Sequence, residues 1–413
     1  MAKIAVITMG VKLNDEKGYT RFRYLSELLV RCGFEVDLIT TTFQHWEKTQ
    51  RDISRIEKSA GDDYPFNLKF IYEPGYNKNI DLKRIRSHSV AAGNLKALLN
   101  REGDYDLIYA EIPPNNVALV AARYAGSKGI PFVADVNDLW PEAMRMVIDI
   151  PIVSSILFYP LKKDAEEVYS LVSGVVGTSD EYRDRPFENN DRKECVPSVT
   201  VYVGNELREF DDGAEANLNK IDKGEDEFWV IYAGTIGTSY DIRTLVKAGQ
   251  VLDKKQNNKV RIKILGGGPD KDELEEMVKT QNITCVEFVG YAPYDLMAAY
   301  LKKSDITINS FVKKAPQSIV TKIGDYLASG KPMINTGMSP EFRNKVSEDG
   351  FGVNIEPENV EVLVEAIEDM KNNLDRCKEM GRKARIIAET EFDRPKSYKK
   401  IEELINRLID KDK

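Results

Sequence analysis

The sequence predicts an α/β protein built from two doubly wound domains in tandem. Three observations predict it. Short β-branched runs alternate with helical segments along the chain, the runs are continuously apolar, and the alternation restarts in the second half after an acidic interruption. Strands that are apolar on both faces belong to parallel sheets covered by helices. Strands separated by helices join through right-handed crossovers, which yields doubly wound sheets. At 413 residues the chain is also too long for one ordinary core.

In the first half the strand KIAVITMG precedes a helix around YTRFRYLSELLVRCG, and FEVDLITTTF and FNLKFIYEPG are the second and third strands. A helix covers NIDLKRIRSHSVAAGNLKALLNR. Then come the strand YDLIYAEI, the helix NNVALVAARYAGSKG, the strand PFVADVND, a long helical region from Pro141 to Ser173, and the strand SGVVGTS. In the second half FWVIYAGTIG, VRIKILGGG, CVEFVGY, DITINSF, KPMINTG and FGVNIEP read as strands with helices between them. The segment Arg208 to Asp226 is acidic and almost lacks long apolar spacing, so it is expected to be the interdomain region. This gives two Rossmann-like domains, 1–205 and 206–393. A last helix, 394–413, follows a proline break and is expected to pack apart from the second domain.

The formal net charge of -8 excludes a general nucleic-acid binder, because no global field attracts phosphates. The four cysteines (Cys32, Cys195, Cys285, Cys377) form no CxxC pair, which fits a reducing compartment without a zinc site. MAKIAVITMG reads as a strand, not a signal peptide, and no apolar run approaches the ~20 residues of a spanning helix. A cytoplasmic protein is expected. Asp104 and Asp106 stand just before a strand and read as a turn, not as a DxD metal site, so neither a metal nor another cofactor is expected.

Two open α/β sheets in tandem create a cleft, and ligands bind beyond the carboxyl ends of such strands. After VRIKIL, Gly266, Gly267 and Gly268 allow close approach to a ligand at a helix start, although a glycine-rich turn is equally a tight turn. Gly234, Thr235 and Gly237 form a second such loop. Tyr291 follows a strand, where it would either stack on a base or shield a loop. SIVTKIGDYLASGKP reads as one short helix stopped by Gly330-Lys331-Pro332. Ile323, Tyr326 and Leu327 are its core face. Lys322 and Asp325, three apart, are either a surface ion pair or a ligand clamp. In the second case Thr321 and Lys322, with Val320 beside them, face a diphosphate and Asp325 accepts from ribose hydroxyls. In the first domain Glu111 and Asp138 each end a strand, Asp135 lies within one, and Glu142 starts the next helix. Asp138 and Glu142 are the preferred groups for holding or deprotonating an acceptor, though Asp138 also suits a helix cap. Gly10 and Gly18 bracket the first loop and are expected to line the cleft. The two histidines, His45 and His88, fall in expected surface segments, which leaves a histidine base unsupported.

The runs ILGGGPDKDELEEMV, VEFVGYAPYDLMAAYLKKSDITINS and TKIGDYLASGKPMINT, in this order and spacing over about a hundred residues, resemble the C-terminal domain of family-4 retaining glycosyltransferases of the GT-B fold. YVGNELREF is similar to the family's junction between domains, and ADVNDLWPEAM to the Asp-Leu-Trp-Pro-Glu segment of a bacterial branch that builds capsules and O-antigens. The resemblance implies transfer of a sugar from a nucleotide sugar, UDP before GDP, with retention of configuration, and a final helix that crosses back onto the first domain. It implies a glycan or polyprenyl-diphosphate-linked acceptor. The sequence departs from the family where two glutamates eight residues apart are usual: here stand Gln317 and Asp325. Gln317 brings no charge to the donor sugar. The usual Arg and Lys after the second domain's first strand are also missing, and Lys322 is expected to take over their charge on the leaving diphosphate. Two readings remain beside the transferase: a non-catalytic nucleotide-sugar binder and a sugar-nucleotide epimerase of the same fold. Lys78, Lys83, Arg84, Arg86, Lys96 and Arg101 in the segment NKNIDLKRIRSHSVAAGNLKALLNR, and the apolar MRMVIDIPIVSSILFYPLKK, would either dock on an anionic leaflet or be a solvated face and a core helix.

Overall fold

The computed structural model describes residues 1–13, 16, 20–56, 63–78, 81–140, 158–188, 191–255, 259–315 and 319–411. The chain divides into two compact units, one of Met1–Val201 with Tyr398–Lys413 and one of Tyr202–Ser397. The sequence-based boundaries at 205/206 and 393/394 lie four residues from these.

The first unit is a seven-stranded sheet. Its strands are β1 (Lys3–Ile7), β2 (Glu35–Thr41), β3 (Asn67–Ile71), β4 (Leu107–Ile112), β5 (Phe132–Val136), β6 (Gly174–Gly177) and β7 (Ser198–Thr200). They lie in the order β3-β2-β1-β4-β5-β6-β7, and every pairing is parallel. The helices α1 (Arg21–Arg31), α2 (Leu82–Glu102), α3 (Asn115–Lys128) and α4 (Tyr159–Ser170) connect them. The strand β7 was not foreseen, because SVT is too short to show a period. The long helix expected from Pro141 to Ser173 is seen as α4, and its portion 141–157 lies outside the described residues.

The second unit repeats the plan. Following α5 (Leu207–Asn217) come β8 (Phe228–Ala233), α6 (Ile242–Lys254), β9 (Val260–Leu265), α7 (Lys271–Thr280), β10 (Val286–Gly290), α8 (Tyr294–Lys303), β11 (Ile306–Asn309), α9 (Lys322–Ala328), β12 (Met333–Asn335), α10 (Pro340–Glu348), β13 (Gly352–Asn354), α11 (Val360–Asn372) and α12 (Leu374–Ile387). The sheet order is β10-β9-β8-β11-β12-β13, again parallel throughout. The acidic segment expected as an interdomain region is instead α5, part of this unit. Leu207, Phe210 and Ala214, spaced by a turn each, are buried, and the acids take the solvent side. The last helix, α13 (Lys399–Lys411), belongs to the first unit: Tyr398, Ile401, Leu404, Ile405 and Leu408 join the core of Ile4, Val6 and Tyr109. Among the described residues no helix is long and apolar enough to cross a membrane.

A buried ion pair ties α1 to the sheet of the first unit. Arg21 Nε and Nη2 meet the two carboxylate oxygens of Asp135 at 2.9 and 3.1 Å, and neither side chain has any solvent exposure. Tyr109 donates to the same carboxylate at 2.6 Å, while Arg21 Nη1 donates to the Val201 carbonyl and the Tyr398 hydroxyl. Asp135 is therefore structural. Asp135→Asn, which leaves the guanidinium without its counter-charge, is expected to cost about 3–5 kcal/mol. The check is the denaturation midpoint. The double change Arg21→Met with Asp135→Leu should recover part of the loss, and a single variant as stable as the parent would contradict this.

Candidate functional site

In each unit the strand order reverses beside the first strand, so the following loops diverge there and leave an opening. In the second unit this point lies between β8 and β11. Lys322, the first residue of α9, extends its amine into it. Its Nζ lies 4.3 Å from the ring centre of Tyr232, 4.4 Å from Tyr240, 5.2 Å from Phe311 and 5.9 Å from Tyr326. The residue as a whole is half-buried, but Nζ is enclosed and has no hydrogen-bond partner among the described residues. Burial drives its pKa well below the usual lysine range. The rings are held in place. Tyr326 Oη bonds both the N–H and the carbonyl of Ala233, and the Tyr232 hydroxyl donates to the Thr235 carbonyl at 2.6 Å. Ring quadrupoles attract a cation, but they replace hydration only in part. A buried amine without an acceptor is a cost that folds carry mainly at functional sites.

Asp325 does not pair with Lys322, so the surface ion pair is excluded. Its Oδ1 accepts from Asn205 Nδ2 and from the Tyr294 hydroxyl, each at 2.8 Å. Burial raises its pKa, and these two donors oppose the rise. Among the described residues Oδ2 receives no hydrogen bond. Asn205 is placed by the junction itself: its N–H donates to the Phe392 carbonyl and its carbonyl accepts from Arg394. Gly204 before it has φ +59°, and a Cβ there would lie 2.1 Å from the Phe392 oxygen. Val320 is half-buried and Thr321 is exposed at the start of α9, while Gly330, at φ +67°, ends the turn that follows it.

The two glycine loops pack on each other. Gly234 N–H donates to Leu265, Ile236 N–H to Gly267, and Gly266 N–H to Gly290. A Cβ on Gly266 (φ +125°) would fall 1.9 Å from the Gly234 oxygen. Gly266 therefore has a structural reason. Gly267 has none of this kind, since nothing lies within 4 Å of where its Cβ would be. Gly237 is buried, and Thr235 is exposed. A cavity of about 380 Å³ beside Tyr240 is lined in part by Ile236, Gly237, Arg243 and Lys247. Arg243 ion-pairs with Glu273. Tyr291 is 82% exposed after β10.

In the first unit the same opening lies between β1 and β4. Glu111, at the end of β4, accepts from the Thr8 hydroxyl at 2.6 Å and from Met9 N–H at 3.0 Å. Burial, against these donors, lifts its pKa to about 7. Sequence reasoning placed Glu111 at a strand end but preferred Asp138 and Glu142. Asp138 accepts from Trp140 Nε1 at 3.2 Å and from Leu139 N–H at 2.9 Å. Glu142, Gln317 and Gly18 lie outside the described residues. The histidines are not on the surface, contrary to expectation. His88 is 5% exposed, and His45 bonds the Tyr76 hydroxyl at 2.6 Å. Burial lowers both rings to about 3, so they are neutral at neutral pH. Both belong to a cluster in which Arg84 covers Trp140 and Tyr76, at 4.5 and 5.3 Å from their ring centres. Arg84 is thus partly removed from the basic face of α2. Asp106 accepts from Lys3 N–H, which fits a turn.

Residues 214–386 match the family of glycosyl transferases group 1. The match covers most of the second unit, and both glycine loops, Lys322 and Asp325 fall within its bounds. Putative colanic acid biosynthesis glycosyl transferase WcaI from Escherichia coli K12 is 25% identical over 169 residues, which are 39% of this chain and 41% of that protein. The chain thus aligns with less than half the length of this relative. Sucrose-phosphate synthase from Thermosynechococcus elongatus has a TM-score of 0.71 at 16% identity over 99% of both chains. Anabaena HepE in complex with UDP has 0.70 at 14% identity, over 99% of this chain and 100% of its own. These likenesses give the chain the two-domain α/β fold of the GT-B glycosyltransferases.

Lys322→Met removes the enclosed amine and keeps its volume. The variant is expected to be more stable than the parent without ligand, by roughly 1–3 kcal/mol at neutral pH. The lysine binds a proton more readily unfolded than folded, so its penalty shrinks as pH rises towards the unfolded pKa of 10.5. The gap in melting temperature between variant and parent should therefore narrow from pH 7 to pH 10. A variant less stable than the parent at pH 7 would show that the amine has a partner.

Proposed function

We propose that the chain is a retaining hexosyltransferase that moves a sugar from a nucleotide sugar, a UDP-sugar first, to a glycan or polyprenyl-diphosphate-linked acceptor in bacterial surface-glycan assembly. The enclosed amine of Lys322 carries this reading. It needs an anion, and it stands at the switch point of a sheet where nucleotides bind in folds of this type. A diphosphate there would supply an acceptor for the amine, and the amine would stabilise the negative charge that grows on it as the glycosidic bond breaks. The relative named for colanic acid biosynthesis and the HepE structure holding UDP support the donor and the pathway class.

In this reading Thr321 and Val320 flank the diphosphate, Asp325 Oδ2 accepts from the ribose, and Tyr291 offers a face to the base. Gly234, Thr235, Gly237, Gly266 and Gly267 line the donor, with Gly267 in closest approach because nothing else occupies its space. Gln317 contacts the donor sugar without charge. The first unit holds the acceptor. No metal takes part, since the lysine supplies the charge that a cation otherwise brings. The protein acts in the cytoplasm, against the inner face of the membrane when the acceptor is lipid-linked.

Thermal-shift titration with UDP- and GDP-sugars tests the reading. UDP-sugars are expected to raise the melting temperature, and Lys322→Ala to abolish the shift. No shift with any nucleotide sugar would sink the proposal. Slow hydrolysis of the bound UDP-sugar separates an enzyme from a binding protein. That hydrolysis should survive EDTA, and its loss with recovery on adding Mg²⁺ would overturn the metal-free part.

A further inference from the structure

The first unit presents an aromatic ring and a carboxylate side by side. Trp46 is 42% exposed, whereas Trp140 and Trp229 are 6% and 1% exposed. It sits in a two-residue hairpin, Phe43–Gln44 against Thr49–Gln50, beyond the carboxyl end of β2. The hairpin is fixed. Gln44 Oε1 accepts from the N–H groups of Trp46 and Glu47 at 2.6 and 2.9 Å, and the His45 ring stands edge-on to the indole at 5.3 Å. Lys48 closes the turn at φ +57°, a conformation that costs energy for a side chain of this kind. A large aromatic held rigid and left open to solvent is a ready platform for a ligand.

Gly10 separates this ring from Glu111. The point where a Gly10 side chain would begin is 3.2 Å from Trp46 Cη2, 3.5 Å from Glu111 Oε1 and 3.7 Å from Oε2. With no side chain at Gly10, the ring edge and the carboxylate face the same point. The Thr8 hydroxyl and Met9 N–H hold Oε2, and among the described residues Oε1 has no side-chain donor.

We propose that Trp46, Gly10 and Glu111 form an acceptor-sugar subsite, in which a pyranose ring of a neutral glycoside lies on the Trp46 indole and one of its hydroxyls donates to Glu111. The binding part stands on this geometry, and calling the occupant the acceptor rests on the transferase reading above. Aromatic faces match the C–H face of a pyranose, and a fixed carboxylate sets which hydroxyl is presented. Glu111 then acts on that hydroxyl. As the oxygen bonds to the anomeric carbon on the face that the diphosphate leaves, so that configuration is retained, its proton passes to the carboxylate. The bond from that carbon to the diphosphate breaks, and the electron pair leaves with the diphosphate. The proton is afterwards released to solvent.

The pH dependence follows from the groups around Glu111. Burial raises its pKa most, Thr8, Met9 and Gly10 oppose the rise, and Asp135, whose charge is shared with Arg21, adds to it. Tyr76 is itself pushed up to about 12 and stays neutral. The balance puts Glu111 at about 7, so its accepting form grows as pH rises through neutrality.

Trp46 is the exposed tryptophan of three, so acrylamide quenching of fluorescence reads this site directly. The probes are methyl glycosides of glucose, galactose, mannose and N-acetylglucosamine, added to the full chain without nucleotide. At least one is expected to protect Trp46 from acrylamide, and the protection should disappear in Gly10→Ala. Glu111→Gln is expected to keep the UDP-induced thermal shift, lower kcat by about 10²-fold or more and lose the rise in rate through about pH 7. An unchanged UDP shift shows that these variants are folded and that the donor reading stands apart from this one. The subsite is overturned if no glycoside protects Trp46, if protection persists in Gly10→Ala, or if Glu111→Gln retains the parent's pH profile.

Discussion

Each unit is organised by the reversal of strand order beside its first strand. With β1 or β8 at the centre, later strands add on opposite sides, and the loops after the first and fourth strands part. The groups in these openings depend on that reversal. Gly10, in the loop after β1, and Glu111, near the end of β4, are positioned by strands paired in register, Ile4 to Ile7 against Leu107 to Ala110. Tyr232 and Phe311 come from β8 and the loop after β11, which pair in the same way. Residues more than seventy positions apart are thus fixed next to each other by backbone hydrogen bonds, and the side chains need only fill the space left at the strand ends.

The fold was legible in the sequence because its signal is local. A strand buried on both faces is a continuous apolar run, and FWVIYA or VRIKIL needs no partner to be recognised. The acidic α5 was misread because its apolar residues, Leu207, Phe210 and Ala214, are few, though correctly spaced. In the candidate site Lys322 and Asp325 were legible as unusual residues at a helix start. Their partners were not. The enclosure of Lys322 by Tyr232, Tyr240 and Phe311, and the hold of Asn205 and Tyr294 on Asp325, join residues 11 to 120 positions apart. The histidines misled for the same reason: polar neighbours in sequence marked a surface, while Trp140 and Tyr76 arrive from elsewhere to bury them. An exposed tryptophan such as Trp46 gives no signal of its own, since exposure is a property of the folded chain.

The glycines show how one residue type answers to two causes. Gly204 and Gly266 are required by backbone that runs too close for a Cβ, at 2.1 and 1.9 Å. At Gly267 and Gly10 the backbone makes no such demand. Nothing is near the first, and the second would meet a ring edge and a carboxylate at ordinary or slightly tight distances. A glycine-rich loop is therefore not one signal but a mixture, and only the neighbours of each missing Cβ separate packing from access.

The two buried cations make the same separation for charge. Arg21 is fully buried and its charge is met by Asp135, a carbonyl and Tyr398. Lys322 Nζ is also enclosed, yet among the described residues it meets aromatic rings and no hydrogen-bond partner. If burial of charge served stability alone, both would have been given counter-charges, or the lysine would have been an apolar residue of the same volume. The lysine is held in a costly state by rings that are themselves hydrogen-bonded in place. That is the arrangement expected where the counter-charge is brought by a ligand, and it makes the affinity for an anion the direct counterpart of the stability given up in its absence.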